Sequence, residues 1–418
     1  MCGIAGILDA DHADPGAAIA MANRIRHRGP DGSGEWSCAA ISLSHRRLSI
    51  IDLEGGRQPL ANEDASVHVT YNGEIYNFRE LRKTLLDCGH TFTTVSDTEV
   101  LVHAWEEWGR DCVEKLRGMF AFAIWDEKKQ QLLLARDRAG IKPLYYYRSG
   151  SRFAFASELQ AFSGWERTLD PEALDLYLHF QYIPAPYTIY KEIRKLPPAH
   201  TLLISPRSEP DIRRYWSLRF EPGNGLSESQ WLDELDAVIS ESVRLHLVSD
   251  VPFGAFLSGG VDSSLVTSYM SEHLRDEHVR TYSIGFDDPD YDELPYARIV
   301  SDYLHTTHRE EMVYPDAIAI LPELVRHYGE PFADSSAIPT YYVSRLAAAD
   351  VKMVLSGDGG DEAFAGYASY AFMAREHRPA RGFARRARFL LGSAGRRAHL
   401  LPPLADPRRT WFSMVAGF

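Results

Sequence analysis

FLSGGVDSSLVTSYM, residues 256–270, runs from apolar residues through two glycines into a stretch with helical spacing. A short strand, FGAFL (253–257), therefore ends in Ser258, Gly259 and Gly260, and Asp262, Ser263 and Ser264 fall in the first turn of the helix that follows. In an open α/β sheet, ligands bind at that carboxyl edge. The glycines permit close backbone approach, first-turn N–H groups face an anion, and the hydroxyls of Ser258, Ser263 and Ser264 add donors. The pattern is a phosphate cradle, although no G-x-x-x-x-G-K-[ST] loop occurs in the chain. Asp262 would repel phosphate unless a cation lay between them, which implies Mg²⁺.

Outward from this turn, strand and helix alternate through VRTYSIGF (279–286) and VKMVLSG (351–357), the signature of a parallel α/β sheet. The second of these runs into another Gly-rich turn, LSGDGGDEAFAGY (355–367), where Asp358, Asp361 and Glu362 crowd together. Such crowding is costly without a metal or an ionic partner. HTTHREE (305–311) sets two histidines three apart, but it opens a polar edge after a helix and reads as solvated surface. A helix over about 229–247 precedes the sheet, and the Pro-, Gly- and Ser-rich stretch 205–228 reads as a linker.

Before that linker the texture is different. ISLSHRRLSII, SVHVTYNGEIYN, GMFAFAIWD, QQLLLARD, KPLYYYR and RFAFASE read as strands. NFRELRKTLLDCG and TEVLVHAWEEWGRDCVEKL carry the three- and four-residue apolar steps of amphipathic helices. Runs of strands with helices on their outer faces make an α+β arrangement. With 418 residues the chain divides into two or three units at about 150 residues each. Composition is that of a folded protein, 45% hydrophobic and 25% charged, and the net charge of −13 argues against a nucleic-acid partner. The arginine-rich RGFARRARFL (381–390) reads as a solvated helix face. No apolar run approaches the ~18 residues of a membrane span, and no basic region precedes the first apolar stretch, so a cytoplasmic location is expected. Cys2, Cys38, Cys88 and Cys112 lie too far apart for a zinc knuckle or a disulfide framework.

The chain opens on MCGIAGIL (1–8). Removal of Met1, expected when a small residue stands second, would leave Cys2 with a thiol and a free α-amine on one carbon. The amine titrates near ~8 and the thiol near ~8.5, so the residue is a nucleophile carrying its own base. Cysteine is also a common start to a buried strand, and the residue alone supports both readings.

These motifs, with RHRGPDG (26–32), RRLSIIDL (46–53), NGEIYN (72–77), SDTE (96–99), ARDRAGIKPLYY (135–146) and EPFADSSAIPTY (330–341), resemble the glutamine-dependent asparagine synthetase family in order and over nearly the whole chain. The resemblance implies an α+β N-terminal-nucleophile glutaminase, a four-layer sheet sandwich, over 1–215, joined to an α/β parallel-sheet ATP pyrophosphatase domain over 226–418. It implies that Cys2 attacks glutamine to form a γ-glutamyl thioester, with an oxyanion hole from the Asn72 side chain and the Gly73 N–H. Arg47 matches the residue that pairs with the glutamine α-carboxylate, and Glu74 and Asp97 match those that hold its amino end. In the second domain Ser258 to Ser264, including Gly259, Gly260, Asp262 and Ser263, would bind pyrophosphate, with Asp262 and Asp361 as Mg²⁺ ligands. Phe256, Leu257, Ile284, Ser356 and Gly357 match positions lining ATP. Asp358 stands where well-known members carry a glutamate, assigned there as a base for ammonia addition.

Family members continue with a helical segment supplying a lysine and a PFLD-type turn, and neither is found before Phe418, so the second domain is expected to be incomplete. Aspartate is the expected acceptor, with a homodimer as the assembly. Two other readings stay open: the same mechanism on another carboxylate, and a glutaminase or nucleotide-binding protein without synthetase turnover.

Overall fold

The computed structural model describes residues 1–9, 13–150, 152–220, 225–275, 277–314 and 316–376; the arginine-rich stretch 381–390 lies outside them. The first half holds β1 (Gly3–Leu8), β2 (Gly32–Ser37), β3 (Ile41–Arg47), β4 (Leu60–Ala61), β5 (Val67–Ile75), β6 (Gly118–Asp126), β7 (Gln131–Arg136), β8 (Tyr145–Ser149), β9 (Arg152–Ala156), β10 (Ile193–Lys195), β11 (His200–Ile204) and β12 (Asp211–Arg214). They form two six-stranded sheets, ordered β10-β8-β9-β1-β3-β2 and β12-β11-β7-β6-β5-β4. Their pairings are antiparallel. The helices of this half are α1 (Pro15–Arg24), α2 (Phe78–Asp87), α3 (Asp97–Trp108), α4 (Cys112–Lys115) and α5 (Pro171–Phe180).

The strand period of two explains the layering. In β6, Ala121, Ala123 and Trp125 meet Ile4, Leu8, Ile41 and Leu43 between the sheets. The alternate residues Phe120, Phe122 and Ile124 meet Leu81, Leu85, Val100 and Leu101 of α2 and α3 on the other side. In β1, Ala5 and Ile7 pack on Ala18, Met21 and Ala22 of α1. The result is helix, sheet, sheet, helix, the expected four layers. Two expectations need correction. Gly109, at φ 56°, stops α3, so 98–116 is not one helix. The stretch 205–228 is not all linker, because β12 pairs with β11 and extends the second sheet to Arg214.

The second half holds α6 (Glu228–His246), β13 (Phe253–Phe256), α7 (Val261–His273), β14 (Arg280–Phe286), α8 (Leu294–Leu304), β15 (Thr307–Val313), α9 (Ala317–Tyr328), α10 (Ala337–Ala348), β16 (Met353–Leu355), α11 (Gly360–Phe364) and α12 (Ala368–Glu376). A capping box of Ser227 and Gln230 starts α6. The sheet is parallel, ordered β15-β14-β13-β16. HTTHREE is largely its edge strand. His308 is not solvated but half-buried, with Nδ1 2.9 Å from Thr281 Oγ1. The halves are joined by Lys352 on Asp31 at 2.6 Å, Lys195 on Glu330 at 2.5 Å, and the Asp52 N–H on Asp250 at 2.7 Å. Among the described residues no helix is long and apolar enough to cross a membrane.

Candidate active sites

Cys2 stands immediately before β1, where Gly3 pairs with Arg46. The chain after β3 turns back over it: Sγ accepts from the Leu48 N–H at 3.4 Å and donates to the Leu48 carbonyl at 3.6 Å. Arg28 Nε donates to the Cys2 carbonyl at 2.8 Å, and its Nη1 pairs with Glu158 at 2.6 Å. From the facing sheet β5 contributes Asn72, Gly73 and Glu74. Only glycine fits at 73, since a Cβ there would overlap the Met119 carbonyl oxygen. Asn72 Nδ2 and Glu74 Oε1 are buried without a hydrogen-bond partner among the described residues. Buried polar atoms normally find partners, so two orphans in one short stretch mark a place prepared for a polar ligand.

Asp97 opens α3, placed by the Ser96 cap, and accepts from the Tyr71 hydroxyl at 2.9 Å and the Ile75 N–H at 3.1 Å. Burial pushes the Asp97 carboxyl up, against those hydrogen bonds. Glu74 is pushed up to about 8, by burial first and the Asp97 charge second, with Lys142 opposing. Lys142 is brought down to about 8 by burial and by Arg28, and feels the charges of Asp137, Glu74 and Cys2 in the other direction. The site is thus a desolvated one in which burial shifts two acids and a lysine toward their neutral forms.

With Met1 in place the terminal amine is its own, and burial, then Arg28 and Lys142, bring it down to about 5 against the opposing charge of Cys2. The thiol is pushed up by burial instead of sitting near its free value. The Arg47 guanidinium donates to the carbonyls of Leu53 at 2.8 Å, Asp52 at 2.5 Å and Ile51 at 3.4 Å. Sequence reasoning also passed over Arg28, Leu48 and Lys142. All three stand inside quoted motifs, but main-chain contacts and burial, which spacing does not reveal, are what bring them to the thiol.

The second site forms where two Gly-rich turns meet. A Cβ on Gly357 would lie 2.8 Å from the Ser263 N and 2.9 Å from Asp262 Cβ, and one on Gly360 would overlap Asp262 Oδ2. SGGVDSS and SGDGGDE are therefore in contact, at the carboxyl ends of adjacent strands β13 and β16. Gly259, at φ 78°, makes the turn, and a Cβ there would run into Tyr296. The serines of this loop are held differently from one another. Ser263 Oγ is bonded to Ser258 Oγ at 2.9 Å and to the Gly260 carbonyl at 3.2 Å, so it braces the loop. Ser264 Oγ is buried without a partner among the described residues and stays available to a ligand. Leu257 is buried, while Phe256 and Ile284 are partly covered by Tyr282 and Leu346.

The three acids in 358–362 each have a local contact. Asp358 accepts from Ser356 Oγ at 2.9 Å, Glu362 accepts from the Tyr367 hydroxyl at 2.7 Å, and Asp361 folds back against Gly366. No three acids or histidines of this site form a closed ligand cluster among the described residues. That still fits Mg²⁺, which is usually bound through one or two carboxylates and the phosphates of its nucleotide. The Asp262 carboxylate, laid over a glycine that leaves room for it, supplies a hard oxygen donor.

Residues 1–216 match the glutamine amidotransferase domain model and residues 234–413 the asparagine synthase model. A putative asparagine synthetase [glutamine-hydrolyzing] 2 of Methanocaldococcus jannaschii is 38% identical over 397 residues, covering 88% of this chain and 76% of that protein. The chain belongs to the glutamine-hydrolysing asparagine synthetase family. Asparagine synthetase [glutamine-hydrolyzing] 1 of Bacillus subtilis is 38% identical over 378 residues, covering 88% of this chain and 59% of that protein. A putative asparagine synthetase of Mycobacterium tuberculosis is 37% identical over 399 residues, covering 88% and 61%. The chain thus spans about three-fifths to three-quarters of the length of these relatives. The two family domains coincide with the two chemistries placed above, the buried cysteine pocket and the glycine-rich strand ends.

Proposed function

We propose that the chain makes asparagine from aspartate, with ATP as the activating substrate and glutamine as the nitrogen source. The observation that supports the reading is the desolvated group Cys2, Asn72, Gly73, Glu74 and Asp97, in which the Asn72 amide nitrogen and a Glu74 carboxyl oxygen are buried without partners among the described residues. In it Cys2 Sγ attacks the side-chain amide carbon of glutamine, and the thiol proton passes to the α-amine freed by loss of Met1. Asn72 Nδ2 and the Gly73 N–H stabilise the developing oxyanion. The proton then goes to the leaving nitrogen, ammonia departs, and water cleaves the thioester to glutamate. Glu74 and Asp97 hold the ammonium end of the substrate. Arg47 takes its carboxylate by releasing part of its hold on the 51–53 carbonyls.

At the strand ends, the Ser258–Ser264 loop binds the pyrophosphate part of ATP, and Phe256, Leu257, Ile284, Ser356 and Gly357 line the nucleotide. The aspartate side-chain carboxylate attacks the α-phosphorus, pyrophosphate leaves, and ammonia displaces AMP from the mixed anhydride, with Asp358 taking a proton from the incoming nitrogen. Asp262 and Asp361 would hold Mg²⁺, which when bound offsets the charge of the pyrophosphate.

The test is an assay of the purified full chain for glutamate, AMP and asparagine, given glutamine, ATP and a panel of carboxylates. Stoichiometric AMP and asparagine with aspartate are expected. AMP formed only with another carboxylate would reassign the acceptor, and glutamate without AMP under any acceptor would remove the synthetase assignment.

A further inference from the structure

Asp97 begins α3, and the other end of the same helix carries a cluster with no part in either reaction. His103 and Glu106 of α3 meet His90 from the segment joining α2 to α3, and one donor atom from each lies within 4.8 Å of the others. Glu106 Oε2 is 2.9 Å from His103 Nδ1 and 3.7 Å from His90 Nδ1. Two further carboxylates stand at the rim: Glu63, 3.8 Å from His103 Nδ1, and Glu107, 3.4 Å from His90 Nε2.

We propose that His90, His103 and Glu106 form a binding site for a divalent transition ion of the zinc class. Two imidazoles and a carboxylate are a common donor set for zinc. Donors at about 2.0–2.1 Å from a tetrahedral ion are about 3.3 Å from one another, and the observed separations of 2.9 and 3.7 Å straddle that value. The surroundings are also those of a metal site. The second oxygen of Glu106 accepts from Asn62 Nδ2 at 2.7 Å, which fixes the carboxylate. His103 is fully buried, and its Nε2, without a hydrogen-bond partner among the described residues, faces Glu99 Oε1 at 3.9 Å. A carboxylate behind the far nitrogen sets the tautomer of a ligating imidazole. Among the described residues no other group of acids, histidines or cysteines converges in this way. The ion ties the 88–96 segment to α3 and so steadies the helix whose first turn presents Asp97; its role is structural.

The test is equilibrium dialysis of the full chain against Zn²⁺ alone, with Cys2→Ser as the reference so that the pocket thiol does not compete. One equivalent per chain is expected, together with a higher thermal midpoint. Affinity should fall at least tenfold when His90→Gln or Glu106→Gln is added. Both side chains are partly exposed, and thermal melting without metal checks that these variants fold. Co²⁺ in place of zinc should give the visible bands of a nitrogen and oxygen site. No retained zinc in the reference protein, unchanged affinity in folded His90→Gln and Glu106→Gln proteins, or a thiolate charge-transfer band with Co²⁺ would each overturn the proposal. The last would move the ion to a cysteine such as the exposed Cys88.

Discussion

Around Cys2 the polar groups are enclosed, with Asn72 1%, Glu74 5% and Asp97 5% exposed, whereas at the strand ends of the second half Asp358 is exposed and Ser356 only half-buried. The packing differs in the same sense. Three contiguous apolar layers surround the first pocket, while the parallel sheet rests on two small clusters and leaves much of α9 and α12 exposed. On the proposed function, the contrast follows from the two ligand classes. A small zwitterion brings one charge at each end, and a desolvated pocket that already holds its partners in place recognises it at little further reorganisation. A nucleotide brings several negative charges and its own counter-ion, so glycine turns and main-chain N–H groups suffice to receive it.

This contrast can be broken site by site. Cys2→Ala should abolish glutamine-dependent turnover, on the order of 10⁶-fold as for other nucleophile deletions, while ammonia-dependent AMP formation persists. Parallel loss of both in a kinetic assay would dissolve the division between the halves. Gly360→Ala puts a methyl group onto Asp262 and is expected to eliminate AMP formation without changing glutamate release, a result read in one reaction mixture. Asn72→Ala should lower glutaminase kcat by about 10²–10³ with a smaller change in KM, since the amide acts on the oxyanion.

A pH prediction sharpens the same comparison. Glu74, raised to about 8, releases its proton when it receives an ammonium group, so glutamine affinity should strengthen with rising pH, at most about tenfold per unit, and level off near pH 8. The corresponding stability contribution runs the other way. The folded state holds this proton more tightly than the unfolded chain, so stability falls as pH rises from about 4.5 to about 8. Glu74→Gln should flatten both trends in binding and denaturation measurements. The smallest expected effect is at the seam. Lys352→Ala removes the bond to Asp31, whose carboxyl stays below its usual range because Lys352 and the Ser49 N–H outweigh the upward push of burial. At most about 1 kcal/mol of stability should be lost in urea titrations, and less in high salt.

Alternation and turn chemistry made the sheets legible from residues alone. GMFAFAIWD reads as a strand, and each face finds its own core because neighbouring side chains point to opposite sides. SGGVDSS and SGDGGDE could be read as ligand turns because only glycine allows the backbones to approach so closely. The limits of such reading are equally specific. Nothing in RRLSIIDL says that Arg47 spends its donors on the next loop, and nothing in GIKP says that Lys142 will be buried beside the thiol; both follow from long-range packing. Ser263 and Ser264 are adjacent and chemically identical, yet one braces the turn and the other is left open, a difference set by helix phase.

The surroundings that bring the Met1 amine below its ordinary value are properties of the fold: burial, then Arg28 and Lys142. Trimming the chain by one residue leaves Arg28 clasping the Cys2 carbonyl, so the new terminus inherits cationic company. On the proposed reaction, an amine in such company binds the thiol proton less tightly than an ordinary one and passes it to the departing nitrogen, where a stronger base would become a sink.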